Sequence, residues 1–248
     1  MDIIQYLSNQ ERVRLPRPDL FRYKASWSEL YAKGEKIMAD MNALSEFLQK
    51  GRAKEVKELV QAALNEGVSA KIILEEGLMS GMSIIGVKFK NNEVYVPEVL
   101  IAARAMNAGT ELLRPFLVDA GVVSKGTVVL GTVKGDLHDI GKNLVGMMME
   151  GKGLEIIDLG SDVSPKQFIE AAISNNANII ACSALLTTTM TGMEDIVKEA
   201  VTAGIRDKVT IMIGGAPVTT SYCENIGADY YAADAASAAE VAVDICKA

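Results

Sequence analysis

The chain has 248 residues, of which 49% are hydrophobic, 23% are charged and 5% are aromatic. This length and apolar content suffice for a folded core in one large or two small domains, and they exclude a disordered or collagen-like chain. The net charge of −7 and the few aromatic residues argue against a nucleic-acid-binding surface. The single histidine, His138, excludes any site that needs two imidazoles.

The start of the chain and the cysteines bear on its location. Residues 1–5 (MDIIQ) carry an acid where a secretory signal peptide has a cationic segment. No apolar run approaches the roughly 18 residues that a membrane-spanning helix needs. The three cysteines, Cys182, Cys223 and Cys246, lie far apart and form no C-x-x-C motif. We therefore expect a cytoplasmic protein with reduced cysteines and no membrane partner.

The first half of the chain is predicted to be helical. Residues 1–35 form an N-terminal extension in which Pro16 and Pro18 interrupt any long helix. Between residues 36 and 121, apolar residues recur every three to four positions, which predicts a bundle of four antiparallel helices. Pro97 suits the start of the fourth helix. The apolar positions of the four helices are Ile37, Met41, Leu44 and Leu48; Val56, Leu59, Val60 and Ala63; Ile72, Ile73, Leu78, Met79, Met82 and Ile85; and Val99, Leu100, Ala103, Met106 and Leu113.

The second half, residues 122–248, alternates short β-branched runs with helical stretches. Apolar strands separated by helices are typical of a parallel sheet that is covered on both faces. The expected fold class is therefore α/β, with the helical bundle followed by a flavodoxin-like, doubly wound, five-stranded parallel sheet whose ligands bind beyond the carboxyl ends of the strands. The predicted strands are Thr127–Thr132, Leu154–Leu159, Ile179–Cys182, Val209–Ile213 and a short one near Tyr230, with helices near 139–150, 165–175, 190–203, 218–226 and 235–247.

The loop after the first strand, KGDLHDIGKN at residues 134–143, does not match the common phosphate-binding motifs. A P-loop has four residues between its glycines, then Lys and Ser or Thr. Here five residues separate Gly135 from Gly141, and Asn143 replaces the Ser or Thr. The dinucleotide motif G-x-G-x-x-G is also absent from this turn.

The same loop contains the pattern Asp-x-His-x-x-Gly. Asp136 stands two residues before His138, so its carboxylate can hold one ring N–H and leave the other nitrogen for a metal. A single imidazole suits a metal whose other positions are filled by a macrocycle. The alternative is an ordinary loop histidine beside an acid, and the spacing alone leaves both open.

Two further strand ends carry polar or small residues. The segment CSALLTTTM at residues 182–190 has four hydroxyl side chains, of which helix capping explains one or two. Gly214 and Gly215 follow the fourth strand, where paired glycines allow a ligand to approach the backbone closely. Alone, this pair is an ordinary turn signal.

Together these three loops resemble the cobalamin-binding domain, whose signature combines D-x-H-x-x-G, S-x-L and G-G motifs. Upstream, residues 77–89 and 95–98 resemble the helical cap of methionine synthase and of methyltransferase corrinoid proteins. The resemblance covers residues 36–248 and implies a helical cap at 36–121 and a cobalamin-binding domain at 122–248. The matching residues are Asp136, His138 and Gly141, then Ser183 and Leu185, then Gly214 and Gly215.

The resemblance implies a role for each of these residues. His138 would be the lower axial ligand of cobalt, Asp136 would bond to it, and Thr189 would continue this proton relay, which makes the three the candidate catalytic residues. Ser183 and Thr187 would contact the nucleotide tail of the cofactor. The other candidate cofactor contacts are Asp139, Ile140, Gly141, Leu185, Thr188, Gly214 and Gly215, with Met82, Phe89 and Val96 from the cap.

The implied cofactor is cobalamin or a related cobamide, used as methylcobalamin and cob(I)alamin, with Phe89 and Val96 over its upper cobalt face. The chain has no barrel for activating a methyl donor, so it resembles the stand-alone corrinoid proteins of anaerobic one-carbon metabolism. Such a protein is non-catalytic alone. It carries a methyl group from a substrate:corrinoid methyltransferase to a second methyltransferase acting on tetrahydrofolate or a thiol coenzyme. A reductive activation protein would be a further partner.

The donor and two other functions stay open. The segment at residues 184–190 and the N-terminal extension resemble methanol-type members, so we favour methanol over methylamines, betaine and methyl ethers. The corrinoid subunit of an adenosylcobalamin-dependent mutase shares the D-x-H-x-x-G loop, but the cap motif argues against it. A cobalamin-binding sensor would need a DNA-binding module, which the net charge disfavours, and no nucleic-acid partner is expected.

Overall fold

The computed structural model describes residues 40–120 and 123–247, and the predicted N-terminal extension lies outside them. The first described half is helical, as predicted. Asp40 caps the first helix, because its carboxylate accepts the backbone N–H groups of Asn42 and Ala43. The elements are α1 (Met41–Gln49), α2 (Ala53–Asn65), α3 (Ala70–Ile72), a π-helix (Ile73–Met79), α4 (Ser80–Lys90) and α5 (Val96–Asp119).

The third predicted helix is continuous but changes its winding. The π-helix joins α3 to α4 without a break. Gly77 lies in this stretch against Leu44 of α1, and a Cβ at Gly77 would overlap the Leu44 side chain. The apolar periodicity predicts a helix here but not its change to π winding, in which Ile73, Gly77 and Leu78 are buried. Pro97 lies in the first turn of α5, as predicted.

The second half is a five-stranded parallel sheet of order β2-β1-β3-β4-β5, the flavodoxin-like order. This confirms the predicted fold class. Strand β1 has the predicted bounds, whereas β2 is shorter than predicted by one residue at each end. The strands are β1 (Thr127–Thr132), β2 (Glu155–Asp158), β3 (Ile179–Ser183), β4 (Thr210–Gly214) and β5 (Tyr230–Tyr231), and the helices are α6 (Ile140–Gly151), α7 (Pro165–Ser174), α8 (Thr191–Thr202), α9 (Thr220–Ile226) and α10 (Ala235–Ile245).

The helices cover both faces of the sheet. On one face, Phe168 of α7 and Met193 of α8 are fully buried against Ile180 of β3. On the other face α6 and α10 pack together. The predicted domain boundary between residues 121 and 122 stays a prediction. Within the described ranges, no helix combines the length and hydropathy that crossing a membrane requires.

Helix α4 of the cap packs along α6 of the sheet domain. Met82 packs against Gly151 at the end of α6, and Gly86, one turn further along α4, faces Met148. The two helices therefore run antiparallel, with the end of α4 beside the start of α6. This places the last turn of α4 near the carboxyl edge of the sheet.

Candidate functional site

The three loops that the sequence singles out meet at the carboxyl edge of the sheet. In the parallel register, Thr132 of β1 pairs with Ser183 of β3, and Ser183 pairs with Gly214 of β4. The loops at 133–139, 184–190 and 215–219 therefore leave the sheet side by side. This is where ligands bind in doubly wound folds.

The centre of the site is the carboxylate of Asp136, which is fully buried. Its Oδ1 atom accepts the backbone N–H of His138 at 3.1 Å and lies 2.7 Å from Nδ1 of the same residue. Its Oδ2 atom accepts the backbone N–H groups of Leu185 at 2.8 Å and Leu186 at 3.3 Å, and the hydroxyl of Thr189 at 2.8 Å. One carboxylate thus joins the first loop to the second.

These contacts determine the charge of Asp136. Burial by itself raises the pKa of this carboxyl group. The hydrogen bonds from Leu185, from the ring and backbone of His138 and from Thr189 outweigh burial and hold the pKa of Asp136 well below its usual range. Asp136 is therefore ionised at neutral pH. Because an ionised carboxylate can only accept, the 2.7 Å contact places a proton on Nδ1 of His138 and turns the Nε2 atom away from Asp136.

His138 presents its other edge outward, with 52% of its side chain exposed. Among the described residues, none forms a hydrogen bond with Nε2. The neighbouring side chains Leu137 and Ile140 are largely exposed although they are apolar. The hydroxyl of the buried Thr132 donates to the His138 carbonyl at 3.0 Å and fixes the loop from below. A free nitrogen among exposed apolar groups suits a flat, apolar ligand that carries a metal.

Beside this loop a cavity of about 420 Å³ lies over the ends of β1, β3 and β4. Phe89, in the last turn of α4, forms part of its wall. A Cβ at Gly141 would meet no atom within 4 Å, so this position leaves the cavity mouth open. The other lining residues include Leu130, Val145, Met149, Ala181, Ser183, Met212, Gly214, Gly215, Tyr231 and Ala238.

The two glycines after β4 differ in their surroundings. Gly215 has φ of +135°, and a Cβ there would overlap the carbonyl oxygen of Ala184. Gly214 has an ordinary φ, and its nearest neighbour would lie 3.4 Å away, at the Ala232 carbonyl oxygen. Only Gly215 is therefore required for the close packing of two loops.

Lys142 was missed by the sequence analysis. Only 1% of its side chain is exposed, and its Nζ donates to both carboxylate oxygens of Asp158 at 2.6 and 2.5 Å. This pair ties the start of α6 to the end of β2. The sequence signal that could have found it is a lysine directly after Gly141, within the motif loop at residues 134–143.

The structure brings most of the predicted residues together. Asp136, His138, Leu185 and Thr189 share hydrogen bonds, while Thr187 and Thr188 are exposed in the same loop as Leu185. The predicted contacts that line the cavity are Phe89, Gly141, Ser183, Gly214 and Gly215, and the ones beside His138 at the start of α6 are Asp139 and Ile140.

Two predicted cap contacts lie elsewhere. Met82 is buried against Gly151, which is separated from the start of α6 by the length of that helix, about 17 Å. Val96, the first residue of α5, is half-buried and does not line the cavity. Across residues 40–120 and 123–247, no three His, Cys, Asp or Glu side chains cluster as a metal site.

Comparisons with known proteins agree with this arrangement. Two family models, both described as B12 binding domain, match residues 126–243 and 41–114. Dimethylamine corrinoid protein 1 of Methanosarcina acetivorans is 41% identical over 193 residues, covering 76% of this chain and 91% of the relative. Trimethylamine corrinoid protein 1 of the same organism is 40% identical over 202 residues, covering 81% and 92%.

Two solved structures share the fold. A cobalamin-binding protein from Desulfitobacterium hafniense matches with a TM-score of 0.70 and 28% identity, over 84% of this chain and 99% of that one. The methanol:cobalamin methyltransferase complex MtaBC from Methanosarcina barkeri contains a chain that matches with a TM-score of 0.76 and 26% identity, over 100% of this chain and 93% of that one. With its two B12 binding domain matches and these relatives, the chain belongs to the cobalamin-binding corrinoid proteins of methyltransferase systems.

Proposed function

We propose that this protein binds a cobamide through His138 and carries a methyl group on it between two methyltransferases. The observation that carries the proposal is the 2.7 Å contact between His138 Nδ1 and Asp136 Oδ1. It turns the Nε2 edge of the half-exposed ring outward, where this nitrogen could ligate a metal. The cobalt of a bound cobamide supplies a site that accepts a methyl group from one enzyme and releases it to another.

The residues present fit such a cofactor. Leu137 and Ile140 offer apolar surface beside His138 for the flat corrin ring. The cavity beside the loop has the size of small-ligand pockets and is lined mainly by apolar side chains, which suits the flat base of the nucleotide tail. Ser183 offers a hydroxyl in this wall, and Gly141 leaves the entrance open.

The three bonded side chains can hold a proton in two arrangements. Nε2 would hold the metal while Nδ1 keeps the ring proton that faces Asp136. Metal and proton compete for the same nitrogen, so release of the metal would leave Nε2 open to a proton. The buried carboxylate of Asp136 lies where it would face the charged ring. The Thr189 hydroxyl has a second acceptor, the Leu186 carbonyl at 2.9 Å, so it can turn away from Asp136.

For the methyl donor we propose a methylated amine. The relatives named for dimethylamine and trimethylamine are 40–41% identical to this chain, whereas the methanol complex is 26% identical. Methanol, which the sequence analysis favours, is the second candidate, because the match to the methanol complex extends over 100% of this chain. A substrate:corrinoid methyltransferase, a second methyltransferase and a reductive activation protein would be the partners.

A methylation screen tests this function. The cobamide-loaded, reduced protein is mixed with partner methyltransferases and dimethylamine, trimethylamine or methanol, and the visible spectrum reports methylation. We expect methylation with an amine and none with His138→Ala under the same partner. Methylation by methanol alone contradicts the proposed donor. Failure of every donor together with tight binding of adenosylcobalamin contradicts the methyl-carrier function and favours a mutase subunit.

A further inference from the structure

A residue outside the three motifs clamps the loop that carries His138. Asp162, in the loop between β2 and α7, accepts the backbone N–H of Gly135 on its Oδ1 atom at 2.7 Å. The backbone N–H of Asp162 in turn donates to the carbonyl of Asp136 at 3.0 Å. The two loops therefore exchange a reciprocal pair of hydrogen bonds at the two residues that precede Leu137.

The position of Asp162 follows from the sheet. The pairing of β1 with β2 continues past the strand ends, because Thr132 N–H donates to the Gly160 carbonyl and Val163 N–H donates to the Thr132 carbonyl. Val133 and Val163 then form a parallel bridge. This register sets Asp162 opposite the His138 loop.

The backbone of Asp162 is unusual for a residue with a side chain. Its φ is +58°, in the left-handed region that favours glycine, although aspartate tolerates it better than most residues. Gly160, two positions earlier, has a φ of +80° and is a glycine. Since glycine would relieve the strain at residue 162, the aspartate there is explained by its carboxylate bond to Gly135.

We propose that Asp162 is a positioning residue for His138. The Asp136 carboxylate meets five donors from two loops, and it reaches all of them only when its own backbone is correctly placed. Asp162 places that backbone by bonding to Gly135 and to the Asp136 carbonyl. Without this clamp, Asp136 no longer holds the proton of His138 on Nδ1. The effect of Asp162 on the ligation of cobalt rests on the proposed function, whereas its effect on the tautomer of the His138 ring does not.

The single histidine makes the test direct. Protein labelled with ¹⁵N-histidine and free of cofactor gives one pair of ring nitrogen signals, which report the tautomer of His138. The spectra are recorded in a pH range where the ring signals no longer change with pH, so that their ratio reports the two neutral tautomers. In the wild type we expect Nδ1 to carry the proton.

Three substitutions separate the hydrogen bond from the strain. Asp162→Gly removes the carboxylate and relieves the backbone, and we expect the ratio of Nδ1–H to Nε2–H tautomer to fall about threefold to tenfold, the factor for one lost hydrogen bond. Asp162→Asn keeps an oxygen acceptor and should retain the wild-type ratio. Asn176→Gly relieves another left-handed residue, with φ +47°, at the opposite edge of the sheet and should change nothing.

The outcomes decide the proposal. A wild-type tautomer ratio in Asp162→Gly overturns it, and so does an equal fall in Asp162→Asn. If Asp162→Gly does not fold, Asp162→Ala is measured in its place, because it also lacks the acceptor. A wild-type tautomer ratio in Asp162→Ala then overturns the proposal. Cobamide binding is measured in parallel. If neither the wild type nor any of the variants binds a cobamide, the proposed function is overturned, while the tautomer result still stands.

Discussion

The Nδ1 atom of His138 lies 2.7 Å from the Oδ1 atom of Asp136, and the two side chains differ sharply in exposure. The carboxylate is fully buried and held by donors from two loops, whereas 52% of the His138 side chain is exposed. The buried carboxylate therefore orients the exposed imidazole ring. A ring held this way presents Nε2 outward at the carboxyl edge of the sheet, where a ligand can reach it.

Asp136→Asn should destabilise the fold. The Oδ2 atom accepts two backbone N–H groups and a hydroxyl, so an asparagine NH₂ group in its place would face only donors. In the other orientation of the amide, the NH₂ group would replace Oδ1 and face the N–H groups of His138. We expect a loss of about 1–3 kcal/mol in the free energy of unfolding, measured with urea. The control is Asp244→Asn, whose carboxylate is 75% exposed and should matter little. Equal stability of the two variants would refute the central role of this carboxylate.

The two glycines after β4 should respond differently to alanine. Gly215→Ala forces a side chain into a φ of +135° and against the Ala184 carbonyl, and we expect a loss of about 2–3 kcal/mol in unfolding free energy. Gly214→Ala meets its nearest neighbour at 3.4 Å and should cost much less. Thermal and urea unfolding of the cofactor-free variants compare them, and equal losses would contradict the structure.

Gly141 should be dispensable for folding and necessary for binding. A side chain at this position enters open space at the mouth of the cavity. We expect Gly141→Leu to leave the unfolding free energy within about 0.5 kcal/mol of the wild type while cobamide binding is largely lost. Gly141→Ala should give a smaller loss of binding. Full binding by the leucine variant would show that the cofactor does not pass this residue.

Cys182 should resist alkylation in the folded protein. Burial raises the pKa of its thiol to about 12, with a further contribution from nearby Cys223, so the reactive thiolate is absent at pH 8. In the unfolded chain the thiol ionises near pH 8.5, whereas in the folded protein it stays protonated. The free energy of unfolding therefore falls as the pH rises above about 8.5. Mass spectrometry after iodoacetamide treatment should find the half-buried Cys246 modified first. Faster labelling of Cys182 would contradict its burial.

Much of the fold could be predicted because burial follows periodicity. The apolar run at Thr127–Thr132 predicts β1 with the bounds that the structure has. The Asp-x-His spacing, two residues within one loop, also predicts the contact between Asp136 and His138.

Contacts made by backbone groups could not be predicted in this way. The N–H groups of Leu185 and Leu186 that hold Asp136 belong to residues of any type, and the clamp at Asp162 depends on a strand register that continues past the strand ends. Met82 shows the other limit: periodicity predicts that it is buried, but not that its partner is Gly151 at the far end of α6.

The most direct test of the account is the nitrogen coupling of the cobalt(II) form in electron paramagnetic resonance. Because His138 is the only histidine, ¹⁵N-histidine labelling changes one imidazole in the protein and none of the nitrogens of the added cofactor. If His138 is the axial ligand, the nitrogen splitting changes from a triplet to a doublet on labelling and disappears in His138→Ala. A triplet that survives labelling would show that the cofactor's own base is the ligand, and it would contradict the assignment of His138.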